Sequence, residues 1–353
     1  MKLKLLTSVA LAASFALSAT ADVSEKQVPV PDLDPKIEAK EIASVDELKD
    51  LFTGTVKEGD HVVELKNYEQ QARIGQDGRR NSADIDQTLS VQGLAQIRQD
   101  GNGNTASATQ ADVAPNVAFD NPRNLAVIDQ VENNNTAYSD QTHTGRGRTN
   151  VVEIHQASER GNVTGNYADA FQKGVDNSSL INQDGLSNAA YSTQFGASQT
   201  SVIDQSGSLN YADVYQHTGS ENDSTVIQVG YGGYQNAAYV EQVGSWNASV
   251  VQQEGDGNYA EVFQPGDDNK SFVSQYGADN SADVDQYGDF NEAILQQNGN
   301  DNSATVLQET DFNLAFIDQS GNGNTATATQ VYSDYNQSLI VQTGFNNTAA
   351  TYQ

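Results

Sequence analysis

The chain contains no cysteine, which excludes disulfide staples, thiolate chemistry and any Cys-based metal site. Bases are scarce: 18 Lys and Arg stand against 47 Asp and Glu, and beyond residue 165 only Lys173 and Lys270 remain. At a formal charge of −29, nucleic acid and anionic membrane surfaces are poor partners. The acidity instead keeps the chain soluble in transit. Long apolar runs are also missing. The single candidate, Leu5 to Leu17, spans about 13 residues, too few to cross a bilayer. With Lys2 and Lys4 before it and Ala19-Thr20-Ala21 after it, it reads as a signal peptide over residues 1–21. Cleavage removes those two lysines and takes the charge from −29 to −31. No catalytic constellation is visible, since His61, His143, His155 and His217 are dispersed. The chain is therefore read as non-enzymatic and without a cofactor. Carboxylate pairs such as Asp283/Asp285 and Asp267/Asp268 offer oxygen ligands, but the calcium-binding nonapeptide pattern is absent and no metal site is assigned.

What is present is repetition. Twenty-four glutamines end the same seven-residue phrase, Asn-x-Ala/Ser-x-x-x-Gln, and Gln253, Gln264, Gln275, Gln286, Gln297, Gln308, Gln319 and Gln330 are each eleven residues apart. Low hydrophobicity with much Asn, Gln, Gly and Ser would otherwise suggest disorder; a fixed short period points to a repeat architecture instead. The array is expected over 67–353, regular from 166. Before that, 20 residues separate Gln110 from Gln130, 15 separate Gln141 from Gln156 and 16 separate Gln156 from Gln172. The surplus, including Ala114-Pro115, Asn121-Pro122 and Gly145-Arg146-Gly147-Arg148, reads as loops pushed out of the turns.

Side chains alternate across a strand. Applied to Asn280 through Gln286, that rule puts Asn280, Ala282, Val284 and Gln286 on one face and Ser281, Asp283 and Asp285 on the other. The same split recurs from phrase to phrase, whereas a helix would scatter both sets. The linker Gln-x-Gly-x-x-Asn has room only for a tight turn in which glycine supplies positive φ. The turn glycines are Gly207, Gly255, Gly266, Gly277, Gly288, Gly299, Gly321 and Gly344. The expected fold is all-β: a two-sheet β-solenoid in which successive strands join opposite sheets. The small inward slot holds Ser at 179, 201, 224, 249 and 271 but Ala at 190, 212, 238, 260 and 282. The unit is thus 22 residues, and 24 strands make about 12 coils, roughly 55–60 Å of stacked array.

The larger inward residues are amides, which are costly to bury unpaired. Stacked on identical amides above and below, they would satisfy one another as ladders. The ladder positions named are Asn210, Gln216, Asn258, Gln264, Asn269, Gln275, Asn280, Gln286, Asn302, Gln308, Asn324, Gln330, Gln342, Asn347 and Gln353. Residues 22–66 lie outside the repeat. Val28 to Pro35 reads as an extended proline-stiffened lead, and Ser44-Val45-Asp46-Glu47 as a capping box opening a short helix through Leu48, Leu51 and Phe52 to Gly54. The segment serves either as a cap on the first coil or as an export address.

The pattern Gln-x-Gly-x-x-Asn-x-Ala-x-x-x-Gln, nearly complete in Gln205 to Gln216, Gln253 to Gln264, Gln275 to Gln286 and Gln319 to Gln330, resembles the curlin repeat of curli subunits, bacterial functional amyloids of biofilm fibres. The resemblance implies export through a dedicated outer-membrane pore with periplasmic chaperones, and nucleated self-polymerisation at the cell surface. Greater length than the best-known subunits and a helix-bearing N-terminal segment leave open whether the chain is a major subunit, a minor one or a nucleator. Two functions follow: a secreted fibre subunit whose last phrase, ending at Gln353, offers a bare strand edge to the next chain, or a monomeric solenoid adhesin or calcium-dependent binding module. Outward aromatics recur as Tyr167/Phe171, Tyr211/Tyr215 and Tyr259/Phe263, with Tyr191 and Tyr239 between them. They suit lateral packing or adhesion, or simply exposed strands.

Overall fold

The computed structural model describes residues 60–61, 71–89, 93–112, 124–144, 149–158 and 164–353. The signal peptide, the proline-rich lead, the 44–54 helix and the three loops named above lie outside them. Among the described residues every element is a strand, numbered here in chain order from β1 (Asp60–His61) to β23 (Thr348–Tyr352).

The strands form two parallel stacks. One begins at β2 (Gln71–Arg79) and continues through β4, β6, β8 and β10 (Gly93–Asn102, Asn124–Val131, Asn150–Ala157 and Ser178–Leu186); the other begins at β3 (Ser82–Leu89). Identical slots pair in register, so Gln275 lies opposite Gln253 on one side and Gln297 on the other. From β2 to β23 there are 22 strands rather than 24. The difference arises because β12 (Thr200–Ser220) and β13 (Asp223–Val243) run through a corner without a break, each supplying an arm to both stacks. The array thus has 24 arms in about 12 coils, and the continuous strands join everything into one 23-stranded sheet. The largest spacing irregularity beyond residue 165, Gly230 to Tyr234, sits in that corner of β13, where Tyr231 and Tyr234 project into solvent.

The core is two side-chain layers thick. After each turn the chain reverses direction, so the second and third inward slots of one arm meet the third and second of the other. The exchange is visible in the last coil, where Ser338 Oγ meets Thr351 Oγ1 at 2.5 Å. Large therefore faces small: the Ile203, Val226, Val251, Val273 column lies across from alanines, and Val214, Val240 and Val262 across from serines. Such pairing fills a thin interior to solid density without forcing rotamers. The Ser179, Ser201, Ser224, Ser249 and Ser271 hydroxyls are buried there without a hydrogen-bond partner.

Amide ladders, turn glycines and the aromatic face

The inward glutamines form two unbroken ladders of twelve. In every rung Nε2 donates to Oε1 of the glutamine one coil nearer the C-terminus, at 2.6–3.3 Å. From Gln99 onward each Nε2 also donates across the core to a backbone carbonyl of the facing arm. Gln275 illustrates both bonds: Nε2 reaches Gln297 Oε1 at 2.9 Å and Tyr259 O at 2.8 Å. The second bond ties the two stacks together, and the phrase pattern carried no signal for it. Gln216, Gln264, Gln286, Gln308, Gln330 and Gln353 share one ladder, Gln275 and Gln342 the other.

The asparagines point the other way. Asn210, Asn258, Asn280, Asn302, Asn324 and Asn347 belong to one column, and each sends both its backbone N–H and its Nδ2 to Oδ1 of the asparagine in the preceding coil. Asn269 departs from the expected amide-on-amide pattern. Its N–H reaches Asn247 Oδ1, but its Nδ2 donates to the turn carbonyl of Gly288 at 2.7 Å. Its side chain clamps the next turn without an amide rung, whereas Asn258, Asn280, Asn302 and Asn324 make both, donating also to Gly277, Gly299, Gly321 and Gly344 O. Gln199 occupies an asparagine slot of the Asn269 column and does the same work as Asn269, donating to Gly219 O at 3.2 Å.

The turn glycines have two separate reasons to be glycine. Gly207, Gly255, Gly277, Gly299, Gly321 and Gly344 have φ between 83° and 128°, where a Cβ is strained. Gly266 and Gly288 do not: in their turns the positive φ falls on Asp268 (57°) and Phe290 (58°). Their reason is space, because a Cβ would come within 2.2 Å of Gly288 O and 2.4 Å of Thr310 O in the next coil. The left-handed residue recurs just before the inward asparagine, and bulky side chains tolerate it. Phe290, Phe312 and Tyr335 all do so, and their rings stack nearly parallel at 4.8 and 4.9 Å. The turn acid Asp267 accepts the backbone N–H of Ser245, and Asp289 that of Asp267.

On the outer face of the second stack, Tyr138, Tyr167, Tyr191, Tyr211, Tyr239 and Tyr259 make one continuous column with ring centroids 5.2–5.9 Å apart. Burial pushes Asp169 and Asp213 beside them above the ordinary carboxylate range. At the C-terminal end, among the described residues, β22 (Gln337–Phe345) and β23 pair only with β20 (Leu314–Asn322) and β21 (Thr325–Gln330) respectively. At the other end β1 lies antiparallel on β2, with Asp60 opposite Gly75 and His61 opposite Ile74. Among the described residues no helix is long and apolar enough to cross a membrane.

This stacked geometry coincides with a known family signature. The family model of the curlin associated repeat matches residues 202–230, 247–277, 277–309 and 299–331. The chain carries curlin repeats. Each matched curlin segment spans a turn with its rungs of both ladders, and the unmatched coils before residue 202 pair in the same register. No curated protein matches the chain.

Proposed function

We propose that the chain is a secreted structural subunit that stacks head-to-tail into extracellular curli-type fibres of a biofilm matrix. The polarity of the glutamine ladders supports this reading most directly. Every rung donates toward the C-terminus, so Gln342 and Gln353 hold donors spent only on Thr325 O and Gln337 O, while Gln76 stands at the acceptor end of its ladder. The last coil of one molecule therefore continues the chemistry of the first coil of the next, in parallel register. A heterologous contact of this kind does not close and yields a filament. Export through an outer-membrane pore with chaperones, and a separate nucleator, belong to the same reading on the strength of the curlin repeats.

One observation favours a capped monomeric adhesin instead: β1 covers the open edge of β2. In the fibre reading β1 leaves that edge when the next molecule docks. The test is electron microscopy and fibre diffraction of the aged, leader-free chain, with Gln342→Ala/Gln353→Ala beside the outward control Gln337→Ala/Thr348→Ala. The inward pair is expected to delay or abolish fibres and the outward pair to do little. Wild-type protein that stays monomeric for days, or that folds only with Ca²⁺ and forms no polymer, would establish the adhesin.

A further inference from the structure

The outer face of the second stack is a checkerboard of rings and carboxylates. Its middle column alternates Tyr138, Tyr191 and Tyr239 with Asp169, Asp213 and Glu261. The register sets Asp169 between Tyr138 and Tyr191, Asp213 between Tyr191 and Tyr239, and Glu261 beside Tyr239. On its own strand each acid is flanked by two more rings: Tyr167 and Phe171, Tyr211 and Tyr215, Tyr259 and Phe263. The same cell, one carboxylate enclosed by aromatic rings, thus recurs every second coil. Tyrosine hydroxyls orient the acids, with Tyr259 donating to Glu261 at 2.6 Å and Tyr211 to Asp213 at 3.5 Å. Beside the first cell lies a groove of about 360 Å³ lined by Tyr138, Asp140, Asp169, Phe171 and Tyr191.

Charge on this face is one-sided. Among the described residues, the one Lys or Arg at an outward position of the stack from β3 to β23 is Lys173, two residues beyond Phe171 near the end of its strand. Lys173 and His217 stand one outward slot beyond the cells, near the ends of their arms; the His217 ring lies 4.6 Å from that of Tyr215 and is engaged by Glu241 at 3.1 Å. The rings remain accessible, with Tyr138, Tyr239 and Tyr259 each 37% exposed. A ring face attracts a weakly hydrated organic cation within ~6 Å of its centroid, and several rings around one cation form an aromatic cage. A carboxylate in the same cell adds full charge where water is partly excluded. Small inorganic cations, which hold their water tightly, draw little from the rings.

We propose that this face binds alkylammonium cations, one over each caged carboxylate, and that a linear polyamine bridges neighbouring cells. Cells two coils apart lie roughly 10 Å from one another along the stack, within reach of a single polyamine, so occupancy of one raises the effective concentration at the next. The site is independent of whether the chain polymerises, because stacking end to end leaves the outer face open.

The test is calorimetric titration of the full chain with spermine and with tetramethylammonium, at ionic strength held constant with NaCl. Binding of both is expected, spermine more tightly. Tyr191→Leu/Tyr239→Leu leaves the net charge unchanged and removes two rings that each serve two cells; it is expected to weaken spermine at least tenfold. Asp213→Asn is expected to weaken it similarly, whereas Asp318→Asn, on the outer face of the other stack, should not. Circular dichroism checks that each variant keeps its β structure. If the tyrosine variant does not fold, the contrast between Asp213→Asn and Asp318→Asn decides. Equal loss from those two, unchanged binding in a folded tyrosine variant, or no tetramethylammonium binding at constant ionic strength would reduce the effect to diffuse attraction by an acidic protein and overturn the proposal.

Discussion

An inward glutamine spends its amide three ways: Nε2 on the next coil and on the facing arm, Oε1 on the coil before. Alanine at position 275 would remove the bonds to Gln253, Gln297 and Tyr259 and leave Gln297 Oε1 and one N–H of Gln253 Nε2 buried without a partner. At about 1–3 kcal/mol for each unsatisfied group, Gln275→Ala is expected to destabilise the array by at least about 2 kcal/mol. The serine column should behave in the opposite sense. Ser249 Oγ is buried with nothing to bond, so Ser249→Ala removes a desolvated hydroxyl and is expected to stabilise by about 1 kcal/mol. Urea unfolding of freshly purified protein reads both. A stabilised glutamine variant would mean the ladder is incidental to burial.

At the scale of the turn, two glycines with similar φ separate strain from space. Gly277 (φ 120°) faces Gly299 O, 2.1 Å from where a Cβ would stand. Gly232 (φ 92°) lies in the projecting corner, its nearest neighbour Ser208 Cβ at 3.9 Å. Gly232→Ala is expected to cost only the backbone term, about 1 kcal/mol, whereas Gly277→Ala also forces two stacked turns apart. Hydrogen exchange should show protection lost in the coils on either side of residue 277 and little change around residue 232. Equal effects would mean that the coils do not stack through their glycines.

Across the whole molecule the outward acids oppose one another. Burial, then Asp283 and Glu261, push Asp285 up from 3.8 to about 6, and burial raises Asp140, Asp169, Asp213, Asp283 and Asp318 as well. A carboxylate with a higher pKa folded than unfolded binds more protons in the native state, so stability rises as pH falls through the folded value toward the unfolded one. For Asp285 that window runs from about 6 down to 3.8. The thermal midpoint is expected to rise between pH 7 and pH 5, and assembly to quicken, with salt acting in the same direction by screening. Asp285→Asn should flatten part of the pH dependence. A midpoint that fell on acidification would mean the acids make stabilising ion contacts instead.

The two-residue alternation and the recurring Asn, Ala/Ser and Gln slots made the solenoid legible in the sequence, because identical strands can satisfy buried amides only by lying in register on one another. The Ser/Ala contrast even separated the two stacks. Left-handed turn residues were not legible: glycine advertises positive φ, but Phe312 and Tyr335 adopt it under the compulsion of the stack. Direction was hidden too, since a pattern of glutamines is the same whether donors point up or down, and only the tertiary structure shows all rungs aligned. It also decided which residues meet across insertions, as when Gln110 bonds Gln141 from 31 residues away. The aromatic cells arise for the same reason. Tyrosines on alternate coils are distant along the chain, and the roughly 4.8 Å step between hydrogen-bonded strands is what closes them around a carboxylate.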